Sequence, residues 1–266
     1  MNYELTKDHI LSIRLTLDGF SFSIHHPSES DSMTYKDFPC KTGGDYIAHI
    51  EGVIENNPEL LHEFANVYVV VATDRFLQIP QSIDIKQKRE QIYLFTHGPN
   101  GDVVLSDENK VNNILTIFGV DSKLYNYLKR TFTITAIHHS THILSSYFSN
   151  KMKFGNYDKL ICQIQNKTAD LIAEKRGNIT LINQYRFKKV EDVIYYILAT
   201  WQKIGFDTKR DQLQFYGEAS LFIEMQEIIK PYIDQFVPLV GPTDIIQTNN
   251  ESPKAPFELI ALPLCV

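Results

Sequence analysis

The sequence predicts a mixed α/β fold built from two similar halves. A strand–turn–strand pattern near the start, LTLDGFSFSI (15–24), returns in LICQIQNKTADLIAE (160–174). In both halves a third strand, an amphipathic helix and a further strand follow in the same order. The run VYVVVA (67–72) is continuously apolar, as in strands buried on both faces.

Leu11, Ile13, Leu15 and Leu17 alternate with Ser12, Arg14 and Thr16, the period of a half-buried strand. Phe20, Phe22 and Ile24 continue the alternation. Asp18-Gly19 between them is the composition of a type I′ turn, which would pair Leu17 with Phe20 and put both apolar sets on one face. Residues 46–56 place Ile47, Ile50 and Ile54 at helical spacing, and Asn57-Pro58 suits the start of another helical turn. In the second half Leu160, Cys162 and Ile164 share one side, as do Ala169, Leu171 and Ala173. RGN (176–178) is a turn before the strand ITLINQYRF. VEDVIYYILATWQKIG (190–205) is the clearest helix, with acids in its first turn, Gly205 at its end and Trp201 within its apolar stripe. QLQFYG (212–217) is a strand, and SLFIEMQEII (220–229) a helix with Ser220 as cap.

The stretch 91–150 leaves this repeat. QIYLFTHG and NNILTIFGV have the look of strands. DSKLYNYLKR and STHILSSYFSN read as helices, capped by Asp121 or Ser122 and by Ser140. The domain reading is therefore 1–150 for the first half, with an insertion at about 91–150, and 151–266 for the second. The C-terminal tail is expected to dock back on the first half.

At 266 residues, 43% of them hydrophobic and 12% aromatic, the chain can bury a substantial core. A formal charge of −6 gives no field that favours nucleic acid or anionic lipid. The basic run KQKRE (86–90) reads as a solvated loop or strand edge. Cys40, Cys162 and Cys265 are far apart with no CxxC pair, which argues for reduced thiols and a cytoplasmic chain. The N-terminus lacks the apolar core of a signal peptide, and VYVVVA is too short to span a bilayer.

Two such halves resemble the actin-like ATPase superfamily of actin, sugar kinases and the Hsp70 ATPase domain. QFYGEAS and PFELIALPLC are further similar to an uncharacterised bacterial family of that fold, a domain of unknown function. The resemblance implies two halves facing a cleft, with ATP and Mg²⁺ between them. Each opening hairpin would wrap phosphate, and acids at the tips would hold the metal through water. A Gly-Gly after a later strand would pass close to the adenosine.

The matching positions are depleted. The first tip has Asp18 and Gly19 adjacent, with bulky Phe20 and Phe22 beyond. The second offers Gln163, Gln165, Asn166, Lys167 and Thr168, with no carboxylate at its tip, and Asp170 lies along the next strand. At the adenosine position Gly217 stands alone before Glu218. Asp18-Gly19 is accounted for by turn chemistry.

Other constellations are weaker. His138 and His142 have metal-ligand spacing, but a helix starting at Ser140 should break their i, i+4 geometry, so structural or exposed histidines are preferred and no metal is expected. KTGGD (41–45) is a Gly-Gly turn before a helix. There is no GxSxG, P-loop or GxGxxG motif. The residues favour a non-catalytic binding or scaffold protein, without cofactor, that meets an unknown protein partner. The alternative is a divergent ATP-binding protein or weak ATPase that uses Asp18, Gly19, Gln163, Gln165, Asn166, Lys167, Thr168 and Gly217.

Overall fold

Alternating apolar residues draw the first strands into one sheet. The strands are β1 (Ile10–Thr16), β2 (Gly19–His25), β3 (Thr34–Pro39), β4 (Asn66–Ala72) and, much later, β8 (Ala136–His139), in the order β3-β2-β1-β4-β8. β1, β2 and β3 are antiparallel neighbours, while β4 runs parallel to β1 and β8 parallel to β4. The computed structural model describes residues 7–17, 19–29, 32–40, 44–151, 157–239, 241 and 255–265. None of its helices, among these residues, is long and apolar enough to cross a membrane.

The same order and strand senses occur a second time. β9 (Lys159–Gln165), β10 (Thr168–Lys175), β11 (Asn178–Arg186), β12 (Gln212–Tyr216) and β13 (Gln235–Pro238) form a sheet ordered β11-β10-β9-β12-β13. β9 to β11 are antiparallel neighbours, and β12 and β13 join in parallel. Neither closing strand, β8 or β13, stands out in the sequence, because each is only four residues long. Two compact units contain these sheets: residues 1–143 with 242–266, and residues 144–241.

In the first unit, Leu11, Ile13, Leu15, Phe20, Phe22, Ile24, Val67, Val69 and Val71 form one sheet face. They pack against Ile50, Val53 and Ile54 of α1 (Tyr46–Glu55) and Leu124 and Leu128 of α3 (Ser122–Thr131). The expected hairpin register is corrected. Leu15, not Leu17, opposes Phe20, and Thr16 opposes Gly19, so Gly19 is a strand residue. A Cβ on Gly19 would lie 3.2 Å from the Phe38 carbonyl oxygen, so close packing against β3 explains this glycine. The slip is of two residues and leaves every side chain on its expected face.

Between β4 and α3 lies an additional sheet, ordered β5-β7-β6, of β5 (Phe76–Pro80), β6 (Asp102–Asn109) and β7 (Ile114–Asp121). The segment QIYLFTH, expected as a strand, is instead the helix α2 (Arg89–His97), ended by Gly98 at φ 74°. Its apolar run resembles a strand, yet only Tyr93 is buried, against Leu115 and Ile117, and Phe95 is exposed. The basic run before it is a 3-10 turn (Lys86–Lys88) leading into α2. There Arg89 pairs with Asp84 at 2.5 Å and Glu108 at 2.9 Å. The hydrogen bonds from Arg89 hold the Asp84 carboxyl below its usual range. Asn57 does not cap the turn Pro58–Leu61; its amide donates to the Val53 carbonyl instead.

In the second unit Arg176 and Gly177, at φ 54° and 77°, make the tight β10–β11 turn. α5 (Val190–Ile204) buries Val193, Ile194, Ile197 and Trp201, and Gly205 ends it at φ 73°. The Asp192 carboxylate accepts the backbone N–H groups of Lys188 and Lys189. α6 (Ala219–Ile229) starts one residue before Ser220, which therefore sits inside the helix and does not cap it. α4 (Ser140–Lys151) leads from the first unit into the second.

The face of the first sheet opposite its core carries buried Ser12, Arg14, Ser21 and Ser23. A short helix near the C-terminus, α7 (Phe257–Ala261), packs on β1, and its Glu258 accepts from Arg14 Nε at 2.5 Å. Both side chains are buried, at 4% and 0% exposure.

Trp201→Ala should lower unfolding free energy by about 3–5 kcal/mol in a denaturant titration, since it opens a cavity beside Phe206. Glu258→Gln should cost about 3 kcal/mol or more, because it strands the Arg14 charge in the interior. His25 is neutral when folded: burial first, then the charges of His9 and His26, pushes its pKa down to about 4. The unfolded ring titrates near 6.5, so the unfolded chain binds the extra proton between these values. Stability should therefore be full above about pH 6.5 and fall by up to roughly 3 kcal/mol toward pH 4. His139, whose pKa burial likewise pushes down to about 4, acts in the same window, so His25→Phe should remove only the His25 share of that fall.

Candidate functional site

Because β1 and β4 are parallel, their C-terminal ends and the loops after them meet at one end of the first sheet. A cavity of about 320 Å³ opens there. Leu15, Thr16 and Leu17 line it from β1, and Val71, Ala72 and Thr73 from β4. The starts of α1 and α3 and the additional sheet close it. This is where ligands gather in open α/β sheets, outside the carboxyl ends of parallel strands.

The polar groups here are largely committed. Asp45 accepts the backbone N–H groups of Ile47 and Ala48, and Asp121 accepts those of Lys123 and Leu124. The two helix N-termini beside the cavity are thus satisfied by carboxylates of their own chain, where a phosphate would otherwise bind. Arg75 pairs with Asp102 at 2.6 Å, and the Tyr93 hydroxyl donates to the same carboxylate. Burial, then this carboxylate, pushes the Tyr93 phenol up. A Cβ on Gly119 would collide with the Tyr93 hydroxyl and Asp102, so only glycine fits against this cluster.

Of the residues read from sequence as phosphate-loop positions, Asp18 lies outside the described residues. Gly19 starts β2, and its carbonyl accepts from the Thr16 hydroxyl at 3.1 Å and the Tyr46 hydroxyl at 3.3 Å. The remaining six come together at the matching end of the second sheet. Gln163 is buried and opposes both Asp170 and Tyr216. Gln165 opposes Thr168, and Asn166 and Lys167 form the tip, with Asn166 at φ 52°. The Lys167 ammonium lies 5.8 Å from the Phe187 ring centroid. Gly217 follows β12 where a Cβ would sit 2.7 Å from the Phe215 ring and 3.3 Å from the Ile164 carbonyl, so packing accounts for it. None of the six is acidic. Asp170, the nearest carboxylate along the strand, is buried and accepts from Gln184 Nε2 at 2.9 Å.

The histidine segment differs from expectation. Ser140 does begin α4, which leaves His138 on β8, yet the strand-to-helix corner stacks the rings of His138 and His142, 5.2 Å apart and 14° from parallel. Asp107 of β6 joins them, 2.9 Å from His138 Nδ1. Sequence reasoning passed over Asp107, since no spacing rule links it to residues about 30 positions later. His139, between His138 and His142 in sequence, is a structural histidine, wholly buried between Phe76 and Phe118. His139 Nε2 donates to the Thr73 carbonyl, and Nδ1 accepts from the Thr141 backbone. Burial pushes its pKa down to about 4.

Two mixed sheets of identical strand order, each with helices on its core face, define the actin-like ATPase fold. A Bacteroides thetaiotaomicron protein described as having that fold and unknown function is similar over 100% of this chain and 99% of its own, with a TM-score of 0.86 and 26% identity. The PilM-PilN type IV pilus biogenesis complex is similar over 96% of this chain and 97% of its own, with a TM-score of 0.59 and 11% identity, a likeness of fold alone. No curated protein sequence matches. Residues 1–236 match the model of the protein family of unknown function DUF3822, and the chain belongs to that family.

Gly119→Ala should destabilise the first unit by about 1–3 kcal/mol through overpacking. Urea unfolding should show a lower midpoint with an unchanged slope, and Tyr93→Phe should not restore it, because the Tyr93 ring carbon Cζ and the Asp102 carboxylate still meet the added methyl.

Proposed function

We propose that this protein is a non-catalytic binding or scaffold protein, which keeps the actin-like frame without nucleotide turnover and uses it to hold a protein partner. The observation that carries this reading is the chemistry of the second hairpin tip. Gln163, Gln165, Asn166, Lys167, Thr168 and Gly217 gather at one end of the sheet with no carboxylate among them; Asp170, opposite Gln163, is buried and accepts from Gln184, and Glu218 follows Gly217. Phosphoryl transfer needs a cation to neutralise the β- and γ-phosphates and a group that orients the attacking water. Amides carry no net charge with which to hold Mg²⁺. In the first unit, Asp45 and Asp121 fill the helix N-termini that would otherwise attract phosphate, and the cavity between them is mainly apolar.

Further considerations support the same reading. The PilM-PilN complex has a related fold and is by description an assembly, which supports use of the frame for protein partners. The repeated strand order supports duplication of one unit, and the Bacteroides relative supports a bacterial origin. Three well-separated cysteines with no CxxC pair favour the cytoplasm, and the acidic balance disfavours nucleic acid.

Purified protein should release no phosphate from ATP with Mg²⁺ above a no-protein control. ATP or ADP with Mg²⁺ should leave its melting temperature unchanged, whereas a ligand at 100 times its Kd would add about 2.7 kcal/mol. Asp18→Asn should leave these results and the fold unaltered. Magnesium-dependent hydrolysis by the wild type that disappears in Asp18→Asn would establish the ATPase alternative instead.

A further inference from the structure

The strand-to-helix corner of the first unit carries a second set of chemical groups, separate from the hairpin tips. Asp107 comes from β6 of the additional sheet, His138 from β8 of the main sheet and His142 from the first turns of α4. One ligand atom from each lies within 4.8 Å of the other two. We propose that Asp107, His138 and His142 form a binding site for a divalent transition-metal ion, with Zn²⁺ as its preferred occupant and water completing the coordination.

The donor set selects the class of ion. Two imidazoles and one carboxylate suit zinc and its first-row neighbours, whereas Ca²⁺ and Mg²⁺ prefer sites made of oxygen. Bonds of about 2.0–2.1 Å at tetrahedral angles place ligand atoms roughly 3.3–3.5 Å apart. Asp107 Oδ1 and His138 Nδ1 are already 2.9 Å apart, so closing the site around an ion requires only small side-chain movements. The carboxylate is oriented from behind: its Oδ2 accepts the His139 backbone N–H at 2.7 Å, which leaves Oδ1 directed at the imidazole. Such support behind a ligand is what metal sites need in order to hold their geometry. On binding, the ion takes the place of the hydrogen between Asp107 and His138. The neutral imidazole then carries its proton on the other ring nitrogen, and one carboxylate offsets half the charge of the ion.

The three ligands come from three elements, and the ion would tie the additional sheet to the main sheet of the same unit. Asp107 is buried, while His138 and His142 are half-buried, so the site keeps a route from solvent. This site stands apart from the proposed scaffold role, and either could fail without the other.

The test uses tag-free, full-length protein stripped with a chelator. Calorimetric titration with Zn²⁺ should give one saturable equivalent and a raised melting temperature. Co²⁺ should give visible absorption bands of a low-coordinate nitrogen–oxygen site. His138→Ala and His142→Ala should each weaken Zn²⁺ binding at least tenfold, and Asp107→Asn should do the same. Should Asp107→Asn fail to fold, the two histidine variants decide the matter. The proposal is overturned if wild-type protein binds Zn²⁺ no better than the His138→Ala/His142→Ala double variant. It is also overturned if Ca²⁺ or Mg²⁺ competes with Zn²⁺ at equal concentration.

Discussion

A buried positive charge on β1 governs how the first unit is closed. Arg14 projects from the middle of the central strand, on the face away from the apolar core, and at 3% exposure it is removed from water. A guanidinium in that position is tolerable only beside a carboxylate with good geometry. Glu258 supplies it from 244 residues along the chain. With α7 docked, Met33, Ala255 and Ile260 form a small apolar cluster, joined by Tyr35. The serines around Arg14 are small enough to let a helix approach the strands closely. Burial, then the charge of Asp37, pushes the Tyr35 phenol up.

The two sheets share strand order and differ in their fittings. Order and direction are held by backbone hydrogen bonds and by alternating apolar side chains, both of which tolerate many sequences. Chemistry at a hairpin tip depends instead on a few side chains that contribute little to the sheet. Frame and tip chemistry can therefore vary independently. Here the tip positions of the second unit carry amides, a lysine and a threonine. The glycine after β12 is required by the Phe215 ring and the Ile164 carbonyl whether or not any ligand approaches.

The additional sheet shows the opposite balance. Little of it is regular in sequence, and charged contacts organise much of it. Arg89 links Asp84, Ser106 and Glu108, while Asp102 gathers Arg75 and Tyr93 around Gly119. Asp107 and the histidines of the β8–α4 corner continue the pattern. The groups with the most specific chemistry thus lie in, or directly against, the additional sheet that departs from the repeat.

The sequence by itself determined the two β-meanders, the phase of α5 with Trp201 buried, and the scarcity of acids at the tips. These are local properties: alternation, helical spacing and the residue types at a hairpin tip are set within a few residues. Tertiary structure decided the rest. The Asp18-Gly19 pair suggests a turn, yet packing of Gly19 against β3 sets a register two residues away. QIYLFTH has a strand-like composition, and α2 forms because the additional sheet offers a groove for Tyr93. Short closing strands such as β8 gain their identity from the neighbour they pair with. Asp107 meets His138 and His142 only because β6 and β8 are brought side by side, a long-range contact that no local spacing encodes.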